Sequence, residues 1–252
     1  MTETHDELVH LDITGALATI TLDSPHNRNA LSRQLVTELV GHLSTAGEDE
    51  EVRVVLIRSS GRVFCSGADL SEASSAGMDE GTRAIVALQR QMLTLPKPVV
   101  TELAGPVRAG GIGIIAASDI AIASAEANFA LTEVKLGLAA AIISLTVHAR
   151  MNPRAAALTT LGGEVFSGAE AAEYGLVTRA VAAEDLQQEI EKTCASLATG
   201  AAQGLRESKA ILNRDLVDRI DERGEELAEL SARLFASDEA REAMTAFLSR
   251  GK

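Results

Sequence analysis

Three short apolar runs, separated by segments of helical periodicity, constrain the fold more than any other feature of this sequence. Val52–Ile57, Val99–Leu103 and Asp119–Ala123 contain five or six residues each and are rich in valine and isoleucine. Runs of this length and composition are typical of strands that are buried on both faces. Because residues 33–43 and 82–93 instead carry apolar side chains at helical spacing, we predict an α/β core.

A hairpin and a helical segment flank this core. Leu8–Ile13 and Ala16–Leu22 alternate apolar and polar residues around Thr14-Gly15, as in a β-hairpin. From about Pro153 the pattern is helical almost to the end. Within it, residues 216–234 predict an amphipathic helix whose apolar face carries Leu216, Ile220, Leu227, Leu230 and Leu234. This face needs a partner surface, on the core or on a neighbouring subunit. We therefore divide the chain into an α/β core, residues 1–195, and a C-terminal helical region, residues 196–252.

The formal charge excludes several classes of partner. Lys and Arg total 23 against 36 Asp and Glu, which gives a net charge of −13 at pH 7. A field of this sign repels polyphosphates and anionic lipid surfaces, so we expect neither a nucleic-acid partner nor a membrane partner. A polyanionic small molecule can bind only where local cations and backbone N–H groups overcome the global field.

Cysteine content and the N-terminal sequence exclude other classes. Cys65 and Cys194 alone can form neither a disulfide scaffold nor a metal cluster, and no histidine spacing resembles a zinc site. The chain opens with the acidic sequence MTETHDE, which lacks the apolar segment of a secretory signal. No apolar run reaches the roughly 18 residues of a membrane span. We expect a cytoplasmic protein without a metal.

Two glycine-rich turns, each after a predicted strand, form the candidate ligand site. Residues 64–70 read FCSGADL and residues 104–113 read AGPVRAGGIG. Small residues in such turns let backbone N–H groups approach an oxyanion or a phosphate, although a tight turn alone also favours glycine. Two turns of this kind indicate one shared site.

A loose dinucleotide-binding fingerprint overlaps the second turn. Gly111, Gly113 and Ala116 have the required spacing, and Glu133 lies about the expected distance beyond them. The match lies in mid-chain, however, and the strand Asp119–Ala123 ends well before Glu133. Binding of a nicotinamide dinucleotide is therefore a remote alternative.

Eight short blocks occur in a fixed order along the chain. They are residues 27–31 (NRNAL), 64–70 (FCSGADL), 97–99 (KPV), 110–111 (GG), 118–120 (SDI), 129–133 (FALTE), 137–138 (GL) and 171–177 (AAEYGLV). Their order and spacing resemble the enoyl-CoA hydratase/isomerase (crotonase) family over nearly the whole chain. The resemblance implies a crotonase-like spiral of ββα units with a C-terminal helical trimerisation region, assembled as a homotrimer or a homohexamer.

The resemblance also implies an acyl-CoA thioester as the ligand, so that CoA is part of the substrate and no separate cofactor is needed. Two backbone N–H groups of the family hold the thioester oxygen as it becomes an enolate, and by similarity these belong to Ser66 and Gly110. Preorganised donors of this kind contribute about 2.7–4 kcal/mol each. Further contacts to CoA are implied for Arg28, Ala30, Ala68, Asp69, Leu70 and Gly111, and, across a subunit boundary, for Phe247 and Lys252.

The chain departs from the family's pair of catalytic glutamates at one position. The second glutamate is present as Glu133, but the first position, 20 residues earlier, is Gly113, which has no proton to give or take. Residues 139–144 (AAAIIS) also replace the usual Pro-x-x-Gly-Gly stretch. One carboxylate beside an enolate suffices for proton shuttling, and it supports hydration if Glu133 alone orients the water.

We favour an enoyl-CoA hydratase that adds water across the double bond of a 2-enoyl-CoA. Residues 132–138 (TEVKLGL) resemble a methylglutaconyl-CoA-type branch of the family, which tips the choice towards hydration. An enoyl-CoA isomerase and a non-catalytic acyl-CoA-binding protein are the alternatives. Structural roles are expected for Arg108, His148 and Cys65.

Overall fold

The computed structural model describes residues 6–72 and 78–250. Its strands are β1 (Val9–Thr14), β2 (Leu17–Leu22), β3 (Val54–Ser59), β4 (Val99–Leu103), β5 (Val107–Arg108), β6 (Ile120–Ser124), β7 (Asn128–Ala130), β8 (Phe166–Ser167) and β9 (Arg179–Val181). Its α-helices are α1 (Arg33–Glu48), α2 (Met78–Thr94), α3 (Gly110–Ala117), α4 (Ala141–Arg150), α5 (Pro153–Gly162), α6 (Gly168–Glu173), α7 (Leu186–Ala198), α8 (Ala202–Phe235) and α9 (Asp238–Arg250).

The larger sheet has six strands in the order β1-β2-β3-β4-β6-β9. The β1–β2 pair is the predicted antiparallel hairpin, and the remaining neighbours are parallel. Alternate residues of β3 face two different apolar clusters: Val55 and Ile57 join the main core, whereas Val54 and Leu56 pack with α7. The prediction that these apolar runs are strands buried on both faces is therefore confirmed for β3.

A smaller sheet, β5-β7-β8, joins the turns that carry the candidate site. Two isolated parallel bridges extend its connections, one between Leu31 and Ala68 and one between Cys65 and Val107. These bridges hold the loop before α1, the turn after β3 and the turn after β4 side by side. Three segments that are far apart in sequence thereby meet at one edge of the core.

The helix α1 begins where its sequence predicts. The hydroxyl oxygen of Ser32 accepts a hydrogen bond from the backbone N–H of Leu35 at 3.3 Å, which satisfies one of the free donors of the first turn. Leu35, Leu39 and Leu43 are fully buried on its inner face.

The prediction of uninterrupted helix after Pro153 is wrong at two short strands. Phe166–Ser167 pairs with β7, and Arg179–Val181 extends the larger sheet beside β6. Strands of two or three residues are too short to show a period of two. Their conformation is set by the partner strand.

The long helix α8 packs against α2 and α4 of its own chain. Leu216, Ile220 and Leu227 are buried in the main core, so the core rather than a neighbouring subunit covers this face. The division of the chain at residue 195 stays a prediction. Among the described helices, none has the length and apolarity needed to cross a membrane.

Candidate active site

The two glycine-rich turns lie side by side, as predicted. Each follows one of the adjacent parallel strands β3 and β4, and carboxyl ends of neighbouring parallel strands are a common place for ligands. The N–H of Phe64 donates to the carbonyl oxygen of Pro106 at 3.0 Å, and that of Arg108 to Cys65 at 2.9 Å. A Cβ atom built on Gly67 would lie 3.0 Å from the Cβ of Ala109. Only glycine fits position 67, since its φ is also +96°.

The backbone N–H of Gly110 is an exposed end of α3. Gly110 is the first residue of this helix, so its N–H has no partner within the helix, and we find no acceptor for it elsewhere among the described residues. The preceding carbonyl oxygen, of Ala109, accepts from the N–H of Ile112 at 2.8 Å. Because a trans peptide directs its C=O and N–H to opposite sides, the Gly110 N–H points out of the N-terminal end of the helix.

The strained backbone of Ala109 sets the orientation of the Gly110 N–H. Its φ of 46° and ψ of −120° lie outside the regions that alanine ordinarily adopts, at a cost of about 1–3 kcal/mol. Its N–H donates to the carbonyl oxygen of Ala130 at 3.2 Å, which ties the strained residue to β7. Backbone strain of this kind is typical of functional sites.

The N–H of Ser66 is engaged within the protein, which conflicts with its predicted role as an oxyanion donor. It donates to the carbonyl oxygen of Arg28 at 3.1 Å, and the Ser66 hydroxyl donates to that of Asn27 at 3.0 Å. A backbone N–H has one hydrogen, so this bond competes with any ligand. Ser66 instead joins the turn after β3 to the loop before α1.

The neighbouring N–H of Ala68 has the opposite character. The carbonyl oxygen of Gly67 accepts from the N–H of Leu31 at 2.8 Å, and the peptide bonds of the described residues include no cis bond. The Ala68 N–H therefore points away from Leu31, and no acceptor for it is found in residues 6–72 and 78–250. The family resemblance implied a CoA contact for Ala68 but placed the oxyanion donor at Ser66.

The loop before α1 presents an exposed cation, Arg28. Arg28 is exposed, and no ion pair or hydrogen bond of its guanidinium occurs among the described residues. Arg28 and Asn29 both have left-handed backbone, with φ of 60° and 53°. Asn29 is buried, and its side chain accepts from the N–H of Ser24 at 2.6 Å and donates to the carbonyl oxygen of Val63 at 3.0 Å. Asn29 thus holds the strained loop in place and leaves Arg28 free for an anion.

Asp69 braces the turn rather than reacting. Its carboxylate accepts from the side-chain amide of Asn27 at 3.1 Å and from the N–H and hydroxyl of Ser71 at 2.9 and 2.6 Å. Burial alone raises the pKa of Asp69, but these hydrogen bonds outweigh burial and hold the pKa below its usual value. Among the other predicted CoA contacts nearby, Ala30 is buried and Leu70 is partly exposed.

Glu133 is a partly buried residue, and one oxygen of its carboxyl group lies out of contact with solvent. It begins a short 3-10 turn, Glu133–Leu136, directly after β7. Its Oε2 is shielded from solvent and has no hydrogen-bond partner among the described residues. Burial raises the pKa of Glu133 to about 7, and the nearest lysine along the chain, Lys135, pairs with Glu164 at 3.0 Å instead. Such a group exchanges protons readily near neutral pH.

The space that a second carboxylate would need at position 113 is filled by another side chain. A Cβ atom on Gly113 would lie 2.5 Å from Cγ2 of Ile143 and 3.4 Å from Cδ of Gln89. Ile143 is 1% exposed and Gln89 is 2% exposed. Ile143 of α4 therefore occupies the space that the side chain of a glutamate at position 113 would need.

Gly111 allows α3 to pack closely against the turn after β3. A Cβ atom at this position would lie 2.7 Å from Cβ and 2.9 Å from Sγ of Cys65, so its Cα faces the interior rather than an open site. Burial raises the pKa of Cys65 to about 12, which keeps the sulfur as a thiol. The prediction of a structural role for Cys65 is confirmed.

Arg108 has a structural role, whereas His148 lies at the surface. The guanidinium of Arg108 donates to the carbonyl oxygens of Val107 and Asn128 at 2.9 and 3.0 Å and to the Asn128 side chain at 2.5 Å. His148 is exposed on α4. The contacts of Arg108 hold β5 to the start of β7.

The C-terminal helix α9 packs on the turn that carries Glu133. Gly137 ends that turn with φ of 68°, and a Cβ atom there would lie 3.2 Å from the backbone N and Cα of Ala240. On the same helix Phe247 is 58% exposed, so this chain leaves it open to solvent. Lys252 lies outside the described residues.

Metal binding finds no support in the described part of the chain, where His, Cys, Asp and Glu form no group of three suited to an ion.

Comparison with known proteins bears on the fold and on the family resemblance. The model of the enoyl-CoA hydratase/isomerase family matches residues 12–252. The structure is similar to that of an enoyl-CoA hydratase from Mycobacterium avium, with 44% identity, a TM-score of 0.91 and coverage of 98% of each chain. It is also similar to an enoyl-CoA hydratase from Mycobacterium avium subsp. paratuberculosis K-10, with 30% identity, a TM-score of 0.87 and coverage of 96% of each chain. These neighbours confirm the predicted crotonase-like α/β fold with its helical C-terminal region.

A curated relative extends the similarity beyond these structures. The enoyl-CoA hydratase domain-containing protein 3, mitochondrial, of Rattus norvegicus is 32% identical over 202 residues, which cover 78% of this chain and 67% of that protein.

Proposed function

Because the chain belongs to the enoyl-CoA hydratase/isomerase family, we propose that it is an enoyl-CoA hydratase that adds water across the double bond of a 2-enoyl-CoA thioester. The observation that carries this proposal is Glu133, whose buried Oε2 has no hydrogen-bond partner among the described residues and whose pKa is raised to about 7 by burial. A carboxyl group in this state can take a proton from water and return it to carbon.

The thioester oxygen lies between the N–H groups of Ala68 and Gly110 in this proposal. Both N–H groups are without a protein acceptor among the described residues, and the contact between Gly67 and Ala109 brings their two peptides together. Negative charge develops on the thioester oxygen as water adds, so fixed donors lower the barrier. The proposal replaces Ser66 by Ala68 because the Ser66 N–H is already bonded to Arg28.

Glu133 carries both proton transfers. Its carboxylate accepts a proton from water while the water oxygen bonds to C3 of the enoyl group and the electron pair of the double bond moves onto the thioester as an enolate. The Glu133 carboxylic acid then protonates C2 of the enolate. One water molecule is consumed and the carboxylate is regenerated.

Arg28 supplies the cation for the CoA phosphates. Arg28 is exposed, and its backbone carbonyl oxygen and that of Asn27 accept the two hydrogen bonds of Ser66, which join this loop to the turn after β3. It creates a local exception to the net charge of −13. The CoA moiety then leaves the site on the side of the loop before α1.

Assembly as a homotrimer or homohexamer is part of the proposal. The apolar side chains of Leu158, Leu161 and Val165 are 61%, 75% and 61% exposed, which is typical of surfaces that contact another subunit. Phe247 is exposed on α9 and is the described residue that could reach a neighbour's CoA. Light scattering on the purified protein measures the subunit number, and a monomer would contradict this part.

An isomerase is a second candidate because of one observation. Ile143 fills the space above Gly113, so a single carboxylate faces the enolate, and one carboxylate suffices to move a proton between C2 and C4 of an enoyl thioester. A non-catalytic acyl-CoA-binding protein would show neither reaction.

The decisive experiment follows the loss of enoyl-thioester absorbance with crotonyl-CoA and with 3-methylglutaconyl-CoA. We expect the wild-type protein to hydrate at least one of them and Glu133→Gln to lose about 10²–10⁴-fold in rate. Glu164→Gln is the matched control, because Glu164 is 78% exposed and pairs with Lys135. Turnover that survives Glu133→Gln contradicts the mechanism, and conversion of 3-enoyl-CoA without water addition identifies the isomerase.

A further inference from the structure

We infer that Ile143 is a specificity-determining residue that closes the acyl end of the site and selects short, uncharged acyl groups. The inference rests on the proposed function for the position of the thioester. It deepens that function because it names the class of acyl group that the site accepts.

The direction of the acyl group follows from the ends of α3. A Cβ atom on Gly110, at the start of the helix, would lie 2.8 Å from Cδ1 of Leu31, so the helix begins against the loop that carries Arg28. The acyl group leaves the thioester on the side opposite CoA. It therefore runs along α3, away from Leu31.

Ile143 stands in this path. Gly113 follows Gly110 by three residues, which places the two on one face of α3 and about 4.5 Å apart along its axis. Cγ2 of Ile143 lies over Gly113, 2.5 Å from the position of a built Cβ. The acyl group thus meets a branched apolar side chain within a few bonds of the thioester.

A buried polar contact prevents Ile143 from moving aside. The side-chain amide of Gln89 donates to the carbonyl oxygen of Ile142 at 2.9 Å, and the Thr146 hydroxyl donates to Oε1 of Gln89 at 2.6 Å. Gln89 and Thr146 are 2% and 0% exposed. These bonds fix α4 against α2 on both sides of Ile143, and breaking one leaves a buried polar group unpaired. A β-branched side chain in a helix also has few alternative rotamers.

The same wall disfavours an acyl group that ends in a carboxylate. Ile143 offers no hydrogen bond, and a buried carboxylate needs a partner. Arg108, in the turn after β4, and Lys135, in the turn that carries Glu133, are engaged by Asn128 and Glu164. Crotonyl-CoA is therefore preferred over 3-methylglutaconyl-CoA, although the sequence of residues 132–138 resembles the methylglutaconyl-type branch.

The test separates binding from turnover. Titration calorimetry with butyryl-CoA, octanoyl-CoA and decanoyl-CoA measures acyl selectivity whether or not the protein is active, and kcat/KM for crotonyl-CoA, 2-octenoyl-CoA and 2-decenoyl-CoA measures it in turnover. We expect wild-type affinity and kcat/KM to fall by about tenfold or more from the four-carbon to the ten-carbon acyl group. Ile143→Ala should remove most of this fall, and Ile143→Val should remove part of it. Ile142→Ala, on the same helix and partly buried, should leave the profile unchanged.

Each outcome decides one of the two proposals. Equal binding of butyryl-CoA and decanoyl-CoA by the wild type, or a fall that Ile143→Ala leaves intact in a folded variant, overturns the role of Ile143. Selective binding of short acyl-CoA without turnover of any enoyl-CoA supports Ile143 and overturns the hydratase. A thermal melt confirms that each variant is folded before its profile is compared.

Discussion

Gly113 and Ile143 fit so closely that a methyl group on Gly113 would lie 2.5 Å from Cγ2 of Ile143. The two residues lie on different helices, α3 and α4, and Ile143 is 1% exposed. A side chain at 113 therefore requires either a shift of α4 or a smaller residue at 143. This relationship closes the position at which the family resemblance implies a glutamate.

The pair predicts a compensating double substitution. Gly113→Ala gains about 1 kcal/mol of helix propensity but overpacks the core, so we expect a net loss of about 1–2 kcal/mol in the free energy of unfolding. Ile143→Ala alone leaves a cavity and costs about 2–5 kcal/mol. In the double variant the added methyl group occupies part of that cavity, so the two losses are not additive. Urea unfolding of the four proteins measures the coupling, and strict additivity would show that the residues are not in contact.

Glu133 predicts a distinct dependence of stability on pH. Burial raises the pKa of Glu133 from 4.5 to about 7 in the folded protein, so the folded state holds a proton that the unfolded state releases. Ionising the carboxyl group therefore costs folding free energy. This cost is absent below pH 4.5, grows as the pH rises, and reaches its full value above pH 7. Glu133→Gln removes this cost. The free energy of unfolding of the variant, relative to that of the wild type, should therefore rise by roughly 3 kcal/mol from pH 4 to pH 8. A constant difference across this range would contradict the buried carboxyl group.

The same group predicts the pH profile of catalysis. The first step needs the Glu133 carboxylate, so kcat/KM should rise with pH and level off above the pKa of about 7. An inflection below pH 5, where exposed carboxyl groups titrate, would show that another residue is the base.

Arg28 predicts a salt-sensitive KM. Its guanidinium has no partner among the described residues, and attraction between such a cation and CoA phosphates is screened as ionic strength rises. Arg28→Gln should raise KM for crotonyl-CoA several-fold at low salt, with little change in kcat, and should flatten the salt dependence. Arg33→Gln is the control, because Arg33 is exposed but pairs with Glu80 at 3.3 Å. Equal effects of the two substitutions would indicate only a loss of general positive charge.

Lys209 and Asp119 predict that α8 depends on a buried ion pair. Nζ of Lys209 lies 2.7 Å from Oδ2 of Asp119 and also donates to the carbonyl oxygens of Met92 and Lys97. Lys209→Met removes one partner and leaves a charge unpaired, which costs about 3–5 kcal/mol. Asp119 also accepts from the N–H of Val99 at 2.8 Å, so Asp119→Asn added to Lys209→Met should recover part of the loss. Chemical denaturation checks both values, and a loss under about 1 kcal/mol would contradict a buried pair.

Local composition was sufficient to predict the strands and turns that hold the site. The apolar runs at β3, β4 and β6 are long enough to identify strands without knowledge of their partners, and glycine and alanine at 64–70 and 104–113 indicate close backbone approach. Glu133 was found from its place in an ordered series of blocks. The structure adds the buried, partnerless Oε2 that makes its proton exchange plausible at neutral pH.

Elements whose conformation depends on pairing with another strand could not be predicted from the sequence. The two residues of β8 and the three of β9 are strands because β7 and β6 bind them, and their own sequence has no period to read. The choice between Ser66 and Ala68 as oxyanion donor is of the same kind. It depends on which side of the chain faces the loop before α1, and the bond from Leu31 to Gly67 decides it.

The sequence by itself determined the family, the buried strands of the core and the glycine at position 113, because each depends on residues that are neighbours along the chain or keep a fixed order in it. Only the tertiary structure decided which amides are free, and that Ile143, 30 residues away, occupies the space above Gly113. Hydrogen bonding and close contact act between atoms that are near in space. Their partners are therefore known only once the chain is folded.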